Sequence, residues 1–257
     1  MANNGLRLPK TLTAQFDNSP AAKMMAGLDG VVRTVNWPTD LPAVLANCIP
    51  RKRALGWIRA GDLYQPCDRM MAAALIKQPP HEFFEPGTLR IFENGSFSHL
   101  RMYMWWLHYP DPWQALAPIQ LKKWPVQGEQ DGSLEHPDIG RWALEFKTIN
   151  NLAFGQLNGP TEEHRLQLNT YLGLSGGQQG MVWYENKNNQ RHRLFEIAFD
   201  PVEFSRAMGR ATGIAQGVGR QELPGMCDTC PEESFCRSLK VSPRVANVCR
   251  RAGRVAR

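Results

Sequence analysis

The segment Arg141-Trp-Ala-Leu-Glu145-Phe-Lys147-Thr148 limits the fold of this chain more than any other. Trp142, Leu144 and Phe146 are apolar at every second position, the period of a half-buried strand, so Ala143, Glu145 and Lys147 point to the opposite face. Upstream, Asp131 lies in the glycine-flanked stretch Gly128-Glu-Gln-Asp131-Gly132, and Pro137-Asp138-Ile-Gly140 supplies a turn between the two. The simplest local structure is a hairpin that sets Asp131 alongside Glu145. Two carboxylates and one ammonium at a strand edge form a minimal site for Mg²⁺ or Mn²⁺, which polarises a phosphate and lowers the pKa of bound water. The plainer alternative is a solvated cross-strand ion pair, which contributes little.

With 257 residues and 42% apolar content, the chain can bury a sizeable core, as one large domain or a domain with appendages. It has no run of about eighteen apolar residues, and Met1-Ala-Asn-Asn-Gly-Leu-Arg lacks the apolar stretch of a signal peptide. A cytoplasmic protein is expected. The net charge of +6 is concentrated at one end: Arg237 to Arg257 holds seven Lys or Arg residues and no acid. Such a tail suits phosphate contact, and it equally serves as a solubilising end.

Residues 1 to about 35 are polar and aperiodic and predict a loose arm or peripheral layer. A short helix is expected within Leu41–Asn47, before the basic turn Pro50-Arg-Lys-Arg53. Leu63, Met70, Met71, Ala74 and Leu75 predict a helix over Asp62–Lys77, stopped by Pro79-Pro80. A second helix is expected from Thr88 to about His108, with Leu89, Phe92, Leu100, Met104 and Leu107 on its buried side. Its aromatic cluster (Tyr103, Trp105, Trp106, Tyr109, Trp113) is read as packing. Gly159-Pro160-Thr161-Glu-Glu opens a helix that runs to about Leu172 and carries His164, Gln167 and Tyr171 as one polar stripe. Strands at Met181–Tyr184 and Leu194–Phe199 flank the turn Asn186-Lys-Asn-Asn189, and a helix follows from Pro201 to about Val218. This order predicts an α/β fold with a central mixed sheet flanked by helices.

Four elements now stand in sequence order: Gly95-x-x-x-His99, Gly128-x-x-Asp131, Glu145-x-Lys147 and Gln167-x-x-x-Tyr171. Together they resemble the PD-(D/E)xK nuclease superfamily, in its RecB-like exonuclease branch, over about residues 57 to 237. The resemblance implies a restriction-endonuclease-like core with Asp131 and Glu145 as metal-binding carboxylates, His99 as a further metal ligand and Lys147 as the water-activating base. Gln167 and Tyr171 would steady the substrate strand or the lysine. Gln130 stands where the usual motif has proline, although RecB-like members commonly show Gly-x-x-Asp. The implied activity is a Mg²⁺- or Mn²⁺-dependent DNA exonuclease in phage or mobile-element recombination. It would act on DNA ends or single strands, beside a recombination or helicase partner. A structure-specific or restriction-type endonuclease and a non-catalytic DNA-binding module are the alternatives.

Of six cysteines, Cys227-x2-Cys230-x5-Cys236 forms a tight set. An intracellular chain disfavours disulfides. The unit resembles the C-terminal part of the iron–sulfur staple in RecB-like nucleases, and Cys67 fits the distant fourth position. A [4Fe–4S] cluster on Cys67, Cys227, Cys230 and Cys236 is implied, with a structural Zn²⁺ site as the alternative. Cys48 and Cys249 read as ordinary thiols, with Cys249 a weaker candidate for the fourth ligand. The expected organisation is an arm over residues 1–56, a nuclease domain over 57–237 and a basic tail over 238–257.

Overall fold

Residues 142–146 sit in the middle of a sheet and are covered on both faces. Leu144 and Phe146 are fully buried, and Ala143 and Glu145 on the other face are only 6% and 2% exposed. The computed structural model describes residues 19–31, 56–78, 86–226 and 233–255. In chain order its elements are α1 (Pro20–Val31), β1 (Ile58–Arg59), a 3₁₀ turn (Ala60–Tyr64), α2 (Asp68–Leu75) and α3 (Pro86–Leu107). Next come β2 (Gln114–Leu116), β3 (Ile119–Lys123), β4 (Val126–Gln130), β5 (Gly132–His136) and β6 (Gly140–Ile149). They are followed by α4 (Asn151–Gln156), α5 (Glu162–Ser175), β7 (Gln179–Asn186), β8 (His192–Ala198), α6 (Pro201–Gly219), α7 (Glu233–Ser238) and α8 (Pro243–Val255).

A five-stranded sheet runs β2-β5-β6-β7-β8, and a three-stranded sheet runs β1-β4-β3. The large sheet is mixed: β6 and β7 are parallel, whereas the β2–β5, β5–β6 and β7–β8 pairs are antiparallel. A parallel pair needs a long crossover, here α4 and α5, and that crossover covers one face. Phe154, Leu168 and Leu172 pack there on Ala143, Val182 and Tyr184. On the other face, α1 and the C-terminal half of α3 bury Trp142, Leu144, Phe146 and Trp183. Each large apolar side chain removed from water in this way contributes about 1.5–3 kcal/mol. The mixed α/β fold with helices on both faces agrees with the sequence reading. The strand itself is not half-buried or at an edge as expected, because it is third of the five strands.

Other expectations need correction. Pro20–Val31 is helical where an aperiodic arm was expected, and Met24 and Leu28, four apart, are buried in the core. Tyr109 OH donates to Met24 O and ties this helix to the end of α3. The helix expected over Asp62–Lys77 is broken: Leu63 lies in the 3₁₀ turn, and α2 starts after Pro66 with Cys67 as N-cap. Proline excludes the preceding residue from helical backbone, and Gln65 is extended. On α3, Phe92 and Leu107 are 51% and 54% exposed, while Met102, Tyr103, Met104 and Trp106 are buried. The C-terminal half of α3 is the part that packs on the sheet. Helix α5 runs past Gly173 to Ser175 and ends at Gly176, which is left-handed (φ 75).

The basic C-terminal segment is also not a solvated tail. It forms α8, which docks on α6 through the buried Ala246 and Cys249. The expected helix at Leu41–Asn47 lies outside the described residues. No helix among the described residues is long and apolar enough to cross a membrane.

Candidate active site

The chain passes from the small sheet to the large one at Asp131, between β4 and β5. Gln130, 2% exposed, pins this crossing: its Nε2 donates to Gly132 O at 2.5 Å and to Ser133 Oγ at 2.8 Å. The register Gly132↔Leu144 sets Asp131 across from Glu145, as the expected hairpin requires. Asp131 Oδ2 accepts from Phe146 N at 2.7 Å, and Oδ1 lies 3.4 Å from His99 Nδ1. His99 reaches the site from α3, its ring edge-on to Phe146 with centroids 5.0 Å apart.

On the facing side of β6, Lys147 Nζ lies 2.6 Å from Glu145 Oε1. Glu145 Oε2 is buried and has no hydrogen-bond partner. Lys147 Nζ also donates to Gln167 Oε1 at 3.3 Å, and Gln167 Nε2 donates to Tyr171 OH at 2.8 Å. These last two side chains come from consecutive turns of α5, so one helix face supplies a relay from the lysine into the core. Tyr171 is 4% exposed and therefore supports Gln167 from within. Its ring fills the space over Gly128, where a Cβ would lie 2.3 Å from Tyr171 Cε1. His99, Asp131, Glu145, Lys147, Gln167 and Tyr171 thus converge at one place.

Burial dominates the protonation of Glu145 and pushes its carboxyl up to about 7, despite the adjacent ammonium. Burial acts in the same sense on Asp131 but is outweighed there by His99, Lys147 and the Phe146 N–H, which hold it below the usual carboxylate range. For Lys147 and His99, burial opposes the charge. Glu145 and Asp131 outweigh it for the lysine, and Asp131 for the histidine, so both are held above their ordinary ranges. Lys147 is therefore an ammonium at neutral pH, a donor and counter-charge before it is a base. Among the described residues no group of three or more His, Cys, Asp and Glu side chains is drawn close enough to hold a metal ion. The Glu145 carboxylate is turned toward Lys147 instead.

A second polar ring lies behind Lys147. The register Lys147↔Tyr184 brings Tyr184 beside it, and Tyr184 OH meets His164 Nδ1 at 2.7 Å and accepts from Thr161 N at 3.0 Å. Burial, then Lys147, pushes His164 down to about 4. His164 thus leaves the stripe expected with Gln167 and Tyr171. Strand parity alone gives Tyr184 its face; the parallel register that brings it to Lys147 has no local sequence signal.

Cys67 is half-buried at the start of α2, and Cys236 is fully buried on α7. Arg69 joins the two regions: its Nε donates to Cys236 O at 2.8 Å and its Nη1 to Pro224 O at 2.7 Å. Cys227, Cys230 and Cys48 lie outside the described residues. Cys249 is buried in α8, and burial raises its thiol pKa.

No protein-family model matches the chain, and no curated protein matches it. Among solved structures, the chain is similar to the alkaline exonuclease LHK-Exo from Laribacter hongkongensis. The identity is 10%, 78% of this chain and 95% of that chain are covered, and the TM-score is 0.45; LHK-Exo has also been solved in complex with dAMP. A phage-related exonuclease from Haemophilus somnus 129PT is similar at 10% identity, over 61% of this chain and 90% of that one, with a TM-score of 0.37. At these identities and TM-scores no residue role transfers between the chains.

Proposed function

We propose that this chain is a divalent-metal-dependent deoxyribonuclease, acting as an exonuclease on DNA ends or single strands. The observation that carries the reading is the buried Glu145 Oε2, which lacks a partner and lies on the strand beside Asp131. A buried carboxylate oxygen without a hydrogen bond is costly and calls for a ligand. Two carboxylates are donors suited to Mg²⁺ or Mn²⁺, an imidazole is better matched to Mn²⁺ than to Mg²⁺, and Asp131, Glu145 and His99 would hold the ion. When bound, such an ion neutralises phosphate charge and acidifies water.

The chain's own groups do the rest. The Lys147 ammonium offers a hydrogen bond and a positive charge to a scissile phosphate or its attacking water. It takes up the role of base once the Glu145 charge that supports it is engaged elsewhere. Gln167, backed by Tyr171, fixes the lysine's direction. A place in phage or mobile-element recombination belongs to the same reading and is supported by the ordered motifs alone.

A [4Fe–4S] staple on Cys67, Cys227, Cys230 and Cys236 is also proposed. It is supported by the Arg69 bridge, in which a side chain from the first turn of α2 reaches the backbone carbonyl of Cys236. One preparation tests both readings. Anaerobically purified protein is expected to carry about four irons per chain; a single zinc would overturn the cluster. With Mg²⁺ or Mn²⁺ the same protein should degrade end-labelled linear DNA and spare circles. Cutting of circles would make it an endonuclease, and no cleavage by folded protein would remove the enzyme reading.

A further inference from the structure

Away from these residues, the start of β1, the end of α2, the β3–β4 turn and α8 enclose a groove of about 850 Å³. Trp57 and Trp124 form one wall, half-buried and edge-to-face with ring centroids 5.2 Å apart. Lys122 Nζ stands 5.9 Å over the Trp57 ring. Lys77 and Arg244 line the rim, both exposed, and none of the described lining residues is Asp or Glu. Helix α8, which closes the groove, also exposes Arg250 and Arg251 and carries no acid.

Lys77 is held there at a conformational cost. Helix α2 ends in a Schellman motif, with Gln78 N donating to Ala73 O at 3.0 Å and Lys77 N to Ala74 O at 3.2 Å. Lys77 occupies the left-handed position of that motif (φ 60), where glycine is the residue without strain. A lysine in glycine's place, at the mouth of this groove beside two indoles, is a backbone outlier that points to function.

The geometry points to this groove as a binding site for an unpaired nucleic-acid strand, with bases against the Trp57 and Trp124 rings and phosphates toward Lys77, Lys122 and Arg244. Cations alone would suit any polyanion, but indoles beside cations suit a chain that alternates flat rings with phosphates. A duplex hides its base faces in its own stack. The choice of DNA over RNA rests on the nuclease reading; the groove does not.

Full-length protein and dye-labelled oligo-dT, in EDTA so that nothing is cleaved, provide the test. Lys77→Gly and Arg244→Glu, each alone, should weaken binding about tenfold at low salt and reduce the slope of log K against log salt by about 0.7 for each phosphate no longer neutralised. Charge reversal at the exposed Lys187 and Arg191, in the β7–β8 turn, should leave binding within about twofold. Lys77→Gly should also raise Tm by about 1–3 °C, which separates lost binding from lost fold. Equal losses in the Lys187 and Arg191 controls would overturn the site. So would equal competition by poly-glutamate, which would make the groove a general polyanion surface, or a preference for blunt duplex. Intact oligo-dT binding by a protein that never cleaves DNA would retain the groove and reject the nuclease.

Discussion

Lys147→Ala is expected to slow DNA cleavage by about 10²–10⁴-fold, the range for loss of a positioned acid or base, while the protein stays folded. The loss has two sources. Lys147 Nζ is the group that faces Glu145 Oε1 at 2.6 Å and joins Glu145 to Gln167. Without it the phosphate loses a donor, and the buried Glu145 carboxyl, already pushed up to about 7, rises further and resists ionisation. Lys147→Arg keeps the charge but cannot give up its proton, so it should recover metal binding before it recovers rate. Single-turnover rates on end-labelled DNA, with thermal melts as the fold control, check this. Activity within tenfold of the parent in Lys147→Ala would remove the lysine from the chemistry.

Gly128→Val should produce the largest structural defect. A Cβ at 128 would lie 2.3 Å from Tyr171 Cε1 and 3.0 Å from Ala60 Cβ, and neither buried neighbour has room to retreat. Forcing Tyr171 aside should destabilise the fold by about 1–3 kcal/mol or more, as overpacking does. It should also release Gln167 from Tyr171 OH and so loosen Lys147. Chemical denaturation measures the first effect, and cleavage rate the second. In a Tyr171→Ala background the added effect of Gly128→Val should shrink, since the clash has lost its partner. An undiminished effect would mean that Gly128 matters for another reason.

This pair also explains part of what was legible in the sequence. Gly128 and Tyr171 belong to two separate motifs, and their packing is the reason each residue type is needed where it stands. The Asp131–Glu145 hairpin was readable because its signals are local: strand parity, a Pro-Asp-x-Gly turn and a glycine on each side of the acid. Helix α5 announced itself with Pro160 and the acids at its start. The features that stayed hidden depend on distant partners. Nothing local sets the parallel register that places Tyr184 beside Lys147. Nor does parity show that β6 is covered twice; that follows from its pairing with β7 through a helical crossover. Ala21, Met24 and Leu28 do make a helical stripe for α1, but it is hidden when residues 1 to 35 are read together as polar, and the arginines of α8 concealed the small-residue face that docks on α6. Helix α5 runs past the expected end at about Leu172, and Gly173 within it is a packing glycine: a Cβ there would lie 2.4 Å from the Phe204 ring.

Asp131, Glu145 and His99 are proposed to hold a divalent cation, and calorimetric titration of the protein with Mn²⁺ at several pH values checks that assignment. Asp131 is held below the usual range and stays ionised, so the pH dependence comes from His99, held above its ordinary range, and from Glu145. Below about 7 its carboxyl carries a proton that the cation must displace, and above that it does not. The apparent affinity should therefore rise at least about tenfold from pH 6 to pH 8, with proton release largest at the acid end. Glu145→Gln should abolish the affinity. Tight Mn²⁺ binding that survives Glu145→Gln, or affinity that does not change across this interval, would contradict the assignment.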